Sequence, residues 1–247
     1  YKTYLNESTM FMERLRLSVI SMTLLCGLHP LNGMAIDDEC QLEKENTEGW
    51  FVGIETGFPF AVSTFTSFGT DKARFGWNVI PYVGYRFNPI LSLEGQALWG
   101  KEHLSARKNQ ADYQLDGCNF NDLQSDVFTQ RYTTQLNVNL LGFFQRTRYS
   151  RWLFEVSPSV SAIGTKADIR PIKGGENVLE GKSHWHFGIG MNIEPSYRIT
   201  KNFFVGLYTN IHFLTGRQLD NVPASGYSSN YIWDVGLNLG WAFSKRE

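Results

Sequence analysis

The chain has 247 residues and a formal net charge of −1 at pH 7, which excludes bulk electrostatic binding to nucleic acid. Only 19% of its residues are charged, whereas an ordinary soluble domain has about a quarter. Aromatic residues reach 15% and there are 23 glycines, a composition that favours strands, tight turns and interfaces over helices.

The first predicted element is a signal peptide over residues 12–35. Arg14 and Arg16 form its short basic start, an apolar run continues to Leu28, and Ala35 ends a small-residue cleavage site. The apolar run is too short to cross a membrane as a helix. A buried helix is the alternative, but the run has no amphipathic pattern that would support it.

Two further segments flank this signal peptide. Residues 1–11 precede it without a starting methionine, so we expect an over-extended reading frame or a fragment boundary there. Residues 36–48 follow it as a periplasmic linker. Cleavage would remove Cys26, and the two cysteines that survive, Cys40 and Cys118, do not make a disulfide framework.

Eight runs with the alternation of β-strands follow between residues 49 and 244. The connections between them alternate between short turns, such as Asn88-Pro89, and long polar loops, such as 105–126. This rhythm predicts an all-β fold, namely an eight-stranded antiparallel up-and-down transmembrane β-barrel with periplasmic turns and external loops. The predicted strands are 49–60, 75–87, 90–104, 127–144, 152–164, 183–199, 203–216 and 231–243.

The two faces of each predicted strand are unlike. In the last strand, bulky apolar residues alternate from Tyr231 to Phe243, whereas Asp234, Gly236 and Asn238 lie between them. The interior of an eight-stranded barrel is barely wide enough for side chains, so aromatics from every strand would overfill it. We therefore predict that the aromatic face contacts lipid. A soluble barrel of the lipocalin type is the alternative, and nothing would then cover so apolar an exterior.

These features resemble the eight-stranded outer-membrane β-barrels typified by the membrane domain of outer-membrane protein A. The resemblance covers residues 49–243 and is carried by the "GWFVG" opening, the eight strands, the turn and loop rhythm, and the terminal Phe243. It implies a porin-like, multi-pass protein of a Gram-negative outer membrane, in contact with outer-membrane lipid and lipopolysaccharide. It also implies recognition of the last strand by the barrel-assembly machinery. The peptidoglycan-binding domain of longer members is not expected after Glu247.

Charged residues on the polar face predict a charge network that fills the lumen. Arginines would satisfy the buried carboxylates. We expect Glu155 and Glu194 at the same height on neighbouring strands, with at least one arginine bridging them. A plug that rearranges into a small conduit is the alternative. The predicted network consists of Glu55, Arg86, Glu94, Glu155, Glu194 and Arg198.

A metal site is a second hypothesis for the lumen. His184 and His186 share the inward face of the sixth strand, and His212 and Asp234 are expected at a similar height on the next two strands. Three or four converging ligands of these types could hold a metal. A hydrogen-bonded cluster at the rim is the alternative, and no cofactor is expected.

The sequence favours a barrel that is not an enzyme, because the His and Ser pairing that a lipid hydrolase needs is not evident near the rim. The first interpretation is a structural barrel with a plugged lumen and loops available to an extracellular ligand. A narrow or transient small-solute pore and a lipid-modifying enzyme are the alternatives. Some basic residues would suit lipopolysaccharide phosphates, although such charges are usually simply solvated: Lys101, Arg107, Lys108, Lys166, Lys173 and Lys182.

Overall fold

The structure is a computed structural model that describes residues 48–68, 74–106, 114–115, 117–215, 219–220, 222 and 230–243. The predicted signal peptide and the segment before it lie outside the described residues. So do residues 36–47 of the predicted linker.

Eight long antiparallel strands form a closed wall. Each strand pairs with the next, and the last returns to the first, with Phe51 opposite Ala242 and Val62 opposite Tyr231. This ring confirms the predicted eight-stranded up-and-down barrel. The strands are β1 (Gly49–Val62), β2 (Trp77–Arg86), β3 (Leu91–Ala106), β4 (Leu123–Asn139), β5 (Trp152–Pro171), β6 (Ser183–Arg198), β7 (Phe203–Leu214) and β8 (Asn230–Ala242).

Five short elements accompany the wall. Phe65–Thr66 pairs with β1 and β3. Gln114–Leu115 and Cys118–Asn119 pair with each other, and Phe120–Asp122 and Leu140–Phe143 are 3-10 helices. None of the helices in the described ranges is long and apolar enough to span a membrane.

The two ends of the barrel carry different connections. The turn end carries residues 87–90, 140–151 and 199–202, and the loop end carries the connections after β1, β3, β5 and β7. β4 and β5 reach further toward the loop end than predicted, pairing up to Leu123 and Pro171. Alternate side chains of these extensions are apolar and point into the interior. The sequence of the extensions is polar enough overall that it was predicted to be loop.

The predicted fourth strand is too long at its other end. β4 stops at Asn139, whose side chain accepts a hydrogen bond from the Leu141 amide at 3.2 Å. This cap starts the 3-10 helix Leu140–Phe143, so residues 140–144 do not continue the strand. The connection to β5 is accordingly longer than the sequence predicts.

The exterior of the wall is apolar, as predicted from the alternation. Trp50 is 59% exposed and Leu207 is 57% exposed, although both are large apolar side chains. Aromatic pairs lie on the outside near the turn end, such as Trp50 with Tyr85 and Trp152 with Tyr197, whose ring centroids are 5.3 and 5.0 Å apart. Tyr132 and Trp185 stack near the loop end. A closed ring with such a surface has no free strand edge and needs lipid around it.

The interior at the turn end contains an aromatic cluster that the sequence analysis did not predict. Phe51, Tyr82 and Phe204 point inward and are buried together. Glycines on neighbouring strands make room for them: a Cβ at Gly84 would lie 2.2 Å from the Phe51 ring, and one at Gly240 would lie 2.1 Å from the Phe204 ring. Inward aromatics are therefore accommodated where an adjacent strand has no side chain.

The interior at the loop end is an apolar core. Inward residues of the strands pack there against residues of the loops, and the rings of Phe65 and Phe120 stack with centroids 4.9 Å apart. The expectation of a uniformly polar lumen is wrong for this end. We call the set the loop-end core: Ala61, Phe65, Leu104, Ala106, Phe120, Leu123, Val127, Ile163, Ala167, Ile169, Leu214, Leu219, Val222 and Ile232.

Candidate functional site in the barrel interior

The predicted acidic pair lies directly across two strands. Glu155 of β5 and Glu194 of β6 are partners in the strand register, and both are buried. Arg86 Nη2 lies 3.2 Å from Glu155 Oε1, and the Arg86 guanidinium lies 5.6 Å from the centre of the Phe51 ring. The arginine therefore neutralises one member of the pair.

The second carboxylate of the pair has a different partner. Asn238 Nδ2 donates a short hydrogen bond to Glu194, and the Tyr82 hydroxyl donates to Asn238 Oδ1 at 2.6 Å. The expected arginine bridge between Glu155 and Glu194 is replaced by this chain of an amide and a phenol. Arg198, the other predicted partner, forms no ion pair with any described residue and is half-buried.

Glu94 is held by amides and not by an arginine. Its oxygens accept hydrogen bonds from Gln96 at 2.8 Å, Gln135 at 3.0 Å and Asn137 at 2.9 Å. Gln96 also donates to Glu55 at 3.4 Å, which connects the predicted network to the middle of the barrel. Three donors satisfy most of the hydrogen-bonding capacity of one carboxylate.

The middle of the lumen is crossed by an ion pair that sequence reasoning missed. Arg131 Nη1 of β4 lies 2.7 Å from Asp234 Oδ2 of β8, and both side chains are at most 1% exposed. Asn78 Nδ2 donates to the other Asp234 oxygen at 2.8 Å, and the Tyr208 hydroxyl donates to Asn78 Oδ1 at 3.0 Å. The alternation along β4 places Arg131 on the inward face, and this was the one sign of the ion pair that the sequence offered. The identity of its partner depends on how the closed wall curves.

These bonded polar residues fall into four groups of hydrogen-bonded or ion-paired side chains, which together we call the lumen network. Each of the eight strands contributes at least one member. Its members are Glu55, Asn78, Tyr82, Arg86, Glu94, Gln96, Arg131, Gln135, Asn137, Glu155, Glu194, Tyr208, Asp234 and Asn238.

The four residues of the metal hypothesis do not converge. Asp234 is engaged by Arg131, and His212 is opposite Gly190, four residues along β6 from His186. Four residues of a strand span about 13 Å. In the described part of the chain, no group of three or more His, Cys, Asp and Glu side chains is placed to hold a metal. The predicted set that includes His184 therefore lacks the geometry that a metal requires.

A hydroxyl and an imidazole do meet inside the barrel. Ser161 Oγ of β5 lies 3.2 Å from His212 Nδ1 of β7, and the two residues are 3% and 2% exposed. Sequence spacing could not reveal this pair, because the residues are 51 positions apart. Glu102 of β3, which accepts a hydrogen bond from Thr129 at 2.8 Å, is a further buried polar residue of the lumen.

The wall and its exterior define the setting of this interior. The ring is closed, the outer surface is apolar between two zones of aromatic residues, and short turns and long loops occupy opposite ends. These are the properties of outer-membrane β-barrels. The chain thus has the fold and the apolar exterior that are typical of outer-membrane β-barrels.

Comparisons with solved structures find outer-membrane barrels. Neisserial surface protein A is 12% identical, with 79% of this chain and 97% of that chain covered and a TM-score of 0.44. Ail of Yersinia pestis, in complex with the heparin analogue sucrose octasulfate, is 13% identical, with 79% and 99% covered and a TM-score of 0.45. OprG of Pseudomonas aeruginosa is 12% identical, with 82% and 99% covered and a TM-score of 0.44.

Comparison of the sequence with protein-family models and with curated proteins finds no match. At the identities and TM-scores above, the likeness to solved structures is one of architecture. The strand register and the exterior of the barrel themselves define the fold.

Proposed function

We propose that this protein is a structural barrel of a Gram-negative outer membrane, with a closed lumen and with loops that are available to a surface partner. The observation that supports the proposal is the arrangement of side chains at two levels of the interior. The Arg131–Asp234 ion pair crosses the middle of the lumen, and the loop-end core fills the space above it. A solute would have to displace both to pass.

The energetics of each closure support this role. A buried ion pair that loses one partner costs about 3–5 kcal/mol, because the remaining charge stays desolvated. Opening the loop-end core would expose side chains such as Phe65 and Leu104, which are fully buried. Each such apolar side chain contributes about 1.5–3 kcal/mol when it is buried. The closed state is therefore the stable state of this lumen.

A narrow pore is the second candidate, and one feature of the interior favours it. Polar atoms of Ser157, Ser159, Asn192 and Asn210 are buried on β5, β6 and β7 without a hydrogen-bond partner in the protein. Unpartnered buried polar groups of this kind suit water. A hydrated strip along these three strands would be the path of a transient conduit past the ion pair.

Single-channel recording in planar bilayers separates the two candidates. We expect no discrete conductance steps from the wild-type barrel. An Arg131→Ala and Phe65→Ala double variant, which weakens both closures, should show steps if it inserts, and a Phe143→Ala variant at the exposed turn end should not. Regular steps from the wild type would contradict the structural proposal and favour the pore.

We also infer that the barrel is not an enzyme. The buried position of the Ser161 and His212 pair supports this inference, because a lipid ester in the membrane could not reach the hydroxyl. Mass spectrometry of lipid A from cells with and without the protein is the test. A modification that depends on the protein and is lost in a Ser161→Ala variant would overturn the inference.

Insertion is the remaining part of the proposal. The last strand ends in apolar aromatic residues, with Trp241 and Phe243 exposed on the outside at the turn end. We propose that the barrel-assembly machinery recognises this strand. A Phe243→Ser variant should accumulate outside the membrane fraction, whereas a Phe143→Ser variant, also exposed at the turn end, should insert normally.

A further inference from the structure

The outer wall of β3, β4 and β5 changes character over a short distance near the loop end. The strand register places Trp99, Gln130 and Gly164 side by side, with Trp185 of β6 next in the row. Two residues further toward the loop end, the next outward row reads Lys101, Phe128 and Lys166. An aromatic row is thus followed directly by a cationic row.

The spacing of the two rows matches the edge of a membrane. Two residues along a strand span about 6.5 Å, and less along the membrane normal because the strands tilt. The headgroup region is about 5–7 Å thick on each side of the hydrocarbon core. If the Trp99 and Trp185 row marks the end of the hydrocarbon, the two lysines stand at the depth of the lipid phosphates.

Further toward the loop end than the row of Lys101, Phe128 and Lys166, most charged side chains are neutralised by one another. Asp126 lies 2.5 Å from His103 Nδ1, 2.6 Å from Arg170 Nη2 and 3.9 Å from Lys101 Nζ. Asp168, which is opposite Asp126 in the register, accepts a hydrogen bond from the Gly181 amide at 2.9 Å. Both carboxylates are therefore engaged.

The cations exceed the carboxylates in this region. Lys166 forms no ion pair with any described residue. The Lys101 side chain is 39% exposed and the Arg170 side chain is 42% exposed, although both lie near Asp126. Among the residues that line the groove described next, the three cations Lys101, Lys166 and Arg170 outnumber the two carboxylates Asp126 and Asp168, and the two lysines lie on the membrane side. A groove of about 500 Å³ lies between these residues, and Phe128 and Asn177 also line it.

We propose that this groove binds a phosphate group of an anionic membrane lipid. Lys101 and Lys166, one on each side of Phe128, donate to the phosphate oxygens, and Arg170 adds a third positive charge. The acyl chains of the lipid lie against Trp99, Tyr132 and Trp185 below. A lipid is the source of the phosphate, because the groove is continuous with the lipid-facing wall. The inference depends on the membrane placement of the barrel and not on its closed lumen.

Native mass spectrometry of the purified barrel tests this site with defined probes. The barrel in detergent is mixed with diphosphoryl lipid A, with the same lipid after removal of its phosphates, and with inorganic phosphate. We expect the diphosphoryl lipid to be retained and the other two probes not to be. A Lys101→Gln and Lys166→Gln double variant should retain it about tenfold less, as expected when a charge-assisted hydrogen bond is lost.

The matched control is a Lys173→Gln and Lys182→Gln double variant, which removes the same charge from the same end of the barrel outside the groove. It should retain the lipid like the wild type, and the heat-dependent gel shift of a folded barrel should be the same for all variants. A Lys101→Arg and Lys166→Arg variant should also retain the lipid.

Four outcomes would overturn the proposal. These are no retention by the wild type, equal loss in the groove and control variants, equal retention of the dephosphorylated lipid, and equal binding of inorganic phosphate. Conductance steps from the wild-type barrel would contradict the closed lumen but would leave the lipid site standing, so the two proposals fail separately.

Discussion

The two halves of the barrel interior have opposite chemistry. Toward the turn end, carboxylates, amides and arginines bond to one another across the lumen, as in the Arg86–Glu155 pair. Toward the loop end, the loop-end core is apolar, and Phe120, Leu219 and Val222 are brought to it by connections outside the wall. The same closed wall therefore encloses two different kinds of core.

The length of the connections explains this difference. The turns at 87–90 and 199–202 are too short to fold back into the barrel, so strand residues there must satisfy one another. Polar side chains can do this, because each hydrogen bond or ion pair joins residues of two strands and needs no partner from a loop. The long connections at the other end supply apolar partners for Leu104 and Ile163. Burial of apolar surface is therefore the more favourable way to fill the interior there.

The largest expected effect comes from a test of which end of the barrel faces the outside of the cell. A reagent that cannot cross the membrane labels a cysteine at the external end and does not label one at the periplasmic end. Short turns face the periplasm in outer-membrane barrels, so we expect the loop end to be external. In a cysteine-free background, a membrane-impermeant maleimide on intact cells should label Asn177→Cys and leave Lys201→Cys unlabelled. Both positions are exposed and therefore accessible in a broken-cell control. Labelling of residue 201 alone on intact cells would reverse the assignment.

Removal of the central arginine should give the largest loss of stability. Arg131→Met leaves Asp234 buried without its cation, so we expect the free energy of unfolding to fall by about 3–5 kcal/mol. Urea unfolding in lipid vesicles measures the loss. Arg198→Met is the control, since Arg198 forms no ion pair with a described residue, and its loss should be much smaller.

A double variant sharpens this test. Asp234→Asn in the Arg131→Met background removes the orphaned charge, so part of the lost stability should return. Strictly additive losses in the two single variants and the double variant would show that the two residues are not coupled across the lumen.

The loop-end core should lose a similar or slightly smaller amount when its ring stack is removed. Phe65 is fully buried against Phe120, so Phe65→Ala should lower the free energy of unfolding by about 3–4 kcal/mol. Phe68→Ala, three residues away and half exposed, is the control, with a loss that should be less than half as large. Equal losses would mean that the loops do not form a packed core.

A smaller effect is expected where glycine makes room for an inward aromatic at the turn end. Gly84→Ala would place its Cβ against the Phe51 ring, at a cost of about 1–3 kcal/mol. Gly95→Ala on the next strand is the control, since the nearest atom to its Cβ would be 4.0 Å away. Unfolding of both variants in vesicles measures the difference, and an unchanged Gly84→Ala barrel would show that Phe51 can move aside freely.

The alternation of residues predicted the wall and its outer face, because a strand in a two-sided environment repeats every two residues. That period does not say which inward residues meet across the lumen. Arg131 and Asp234 are 103 residues apart, and only the closed ring brings their heights together. The predicted ligands His186 and His212 failed to meet for the same reason: a small difference in register separates them by several residues.

The loop-end core was hidden for another reason. Its loop members, Phe120, Leu219 and Val222, are single apolar residues in polar segments and show no periodicity. The glycines that receive Phe51 and Phe204 are also invisible to a strand-by-strand reading, since they lie on neighbouring strands. Sequence patterns thus predicted the properties of each single strand. They missed the contacts that form between two strands, or between the barrel interior and a loop that folds back into it.

The smallest expected effect concerns a buried carboxyl group beside the loop-end core. Asp220 Oδ2 accepts a hydrogen bond from the Phe65 amide at 2.8 Å, and burial raises the pKa of the Asp220 carboxyl above its ordinary value. An acid whose pKa is higher in the folded state holds its proton more strongly there than in the unfolded chain. Between the unfolded and folded pKa values stability therefore falls as the pH rises, and acidification strengthens this part of the barrel.

Asp220→Asn should remove that contribution to the pH dependence while keeping one acceptor oxygen for Phe65. Asp122→Asn, an exposed change at the same end, should keep the wild-type pH dependence. Unfolding in vesicles from neutral pH down to the ordinary range of an aspartate measures all three proteins, and the difference between the wild type and Asp220→Asn isolates this group from the other buried carboxyls. An Asp220→Asn barrel whose pH profile parallels that of the wild type would show that this carboxyl group is not protonated more readily in the fold, and that the apolar half of the interior is indifferent to pH.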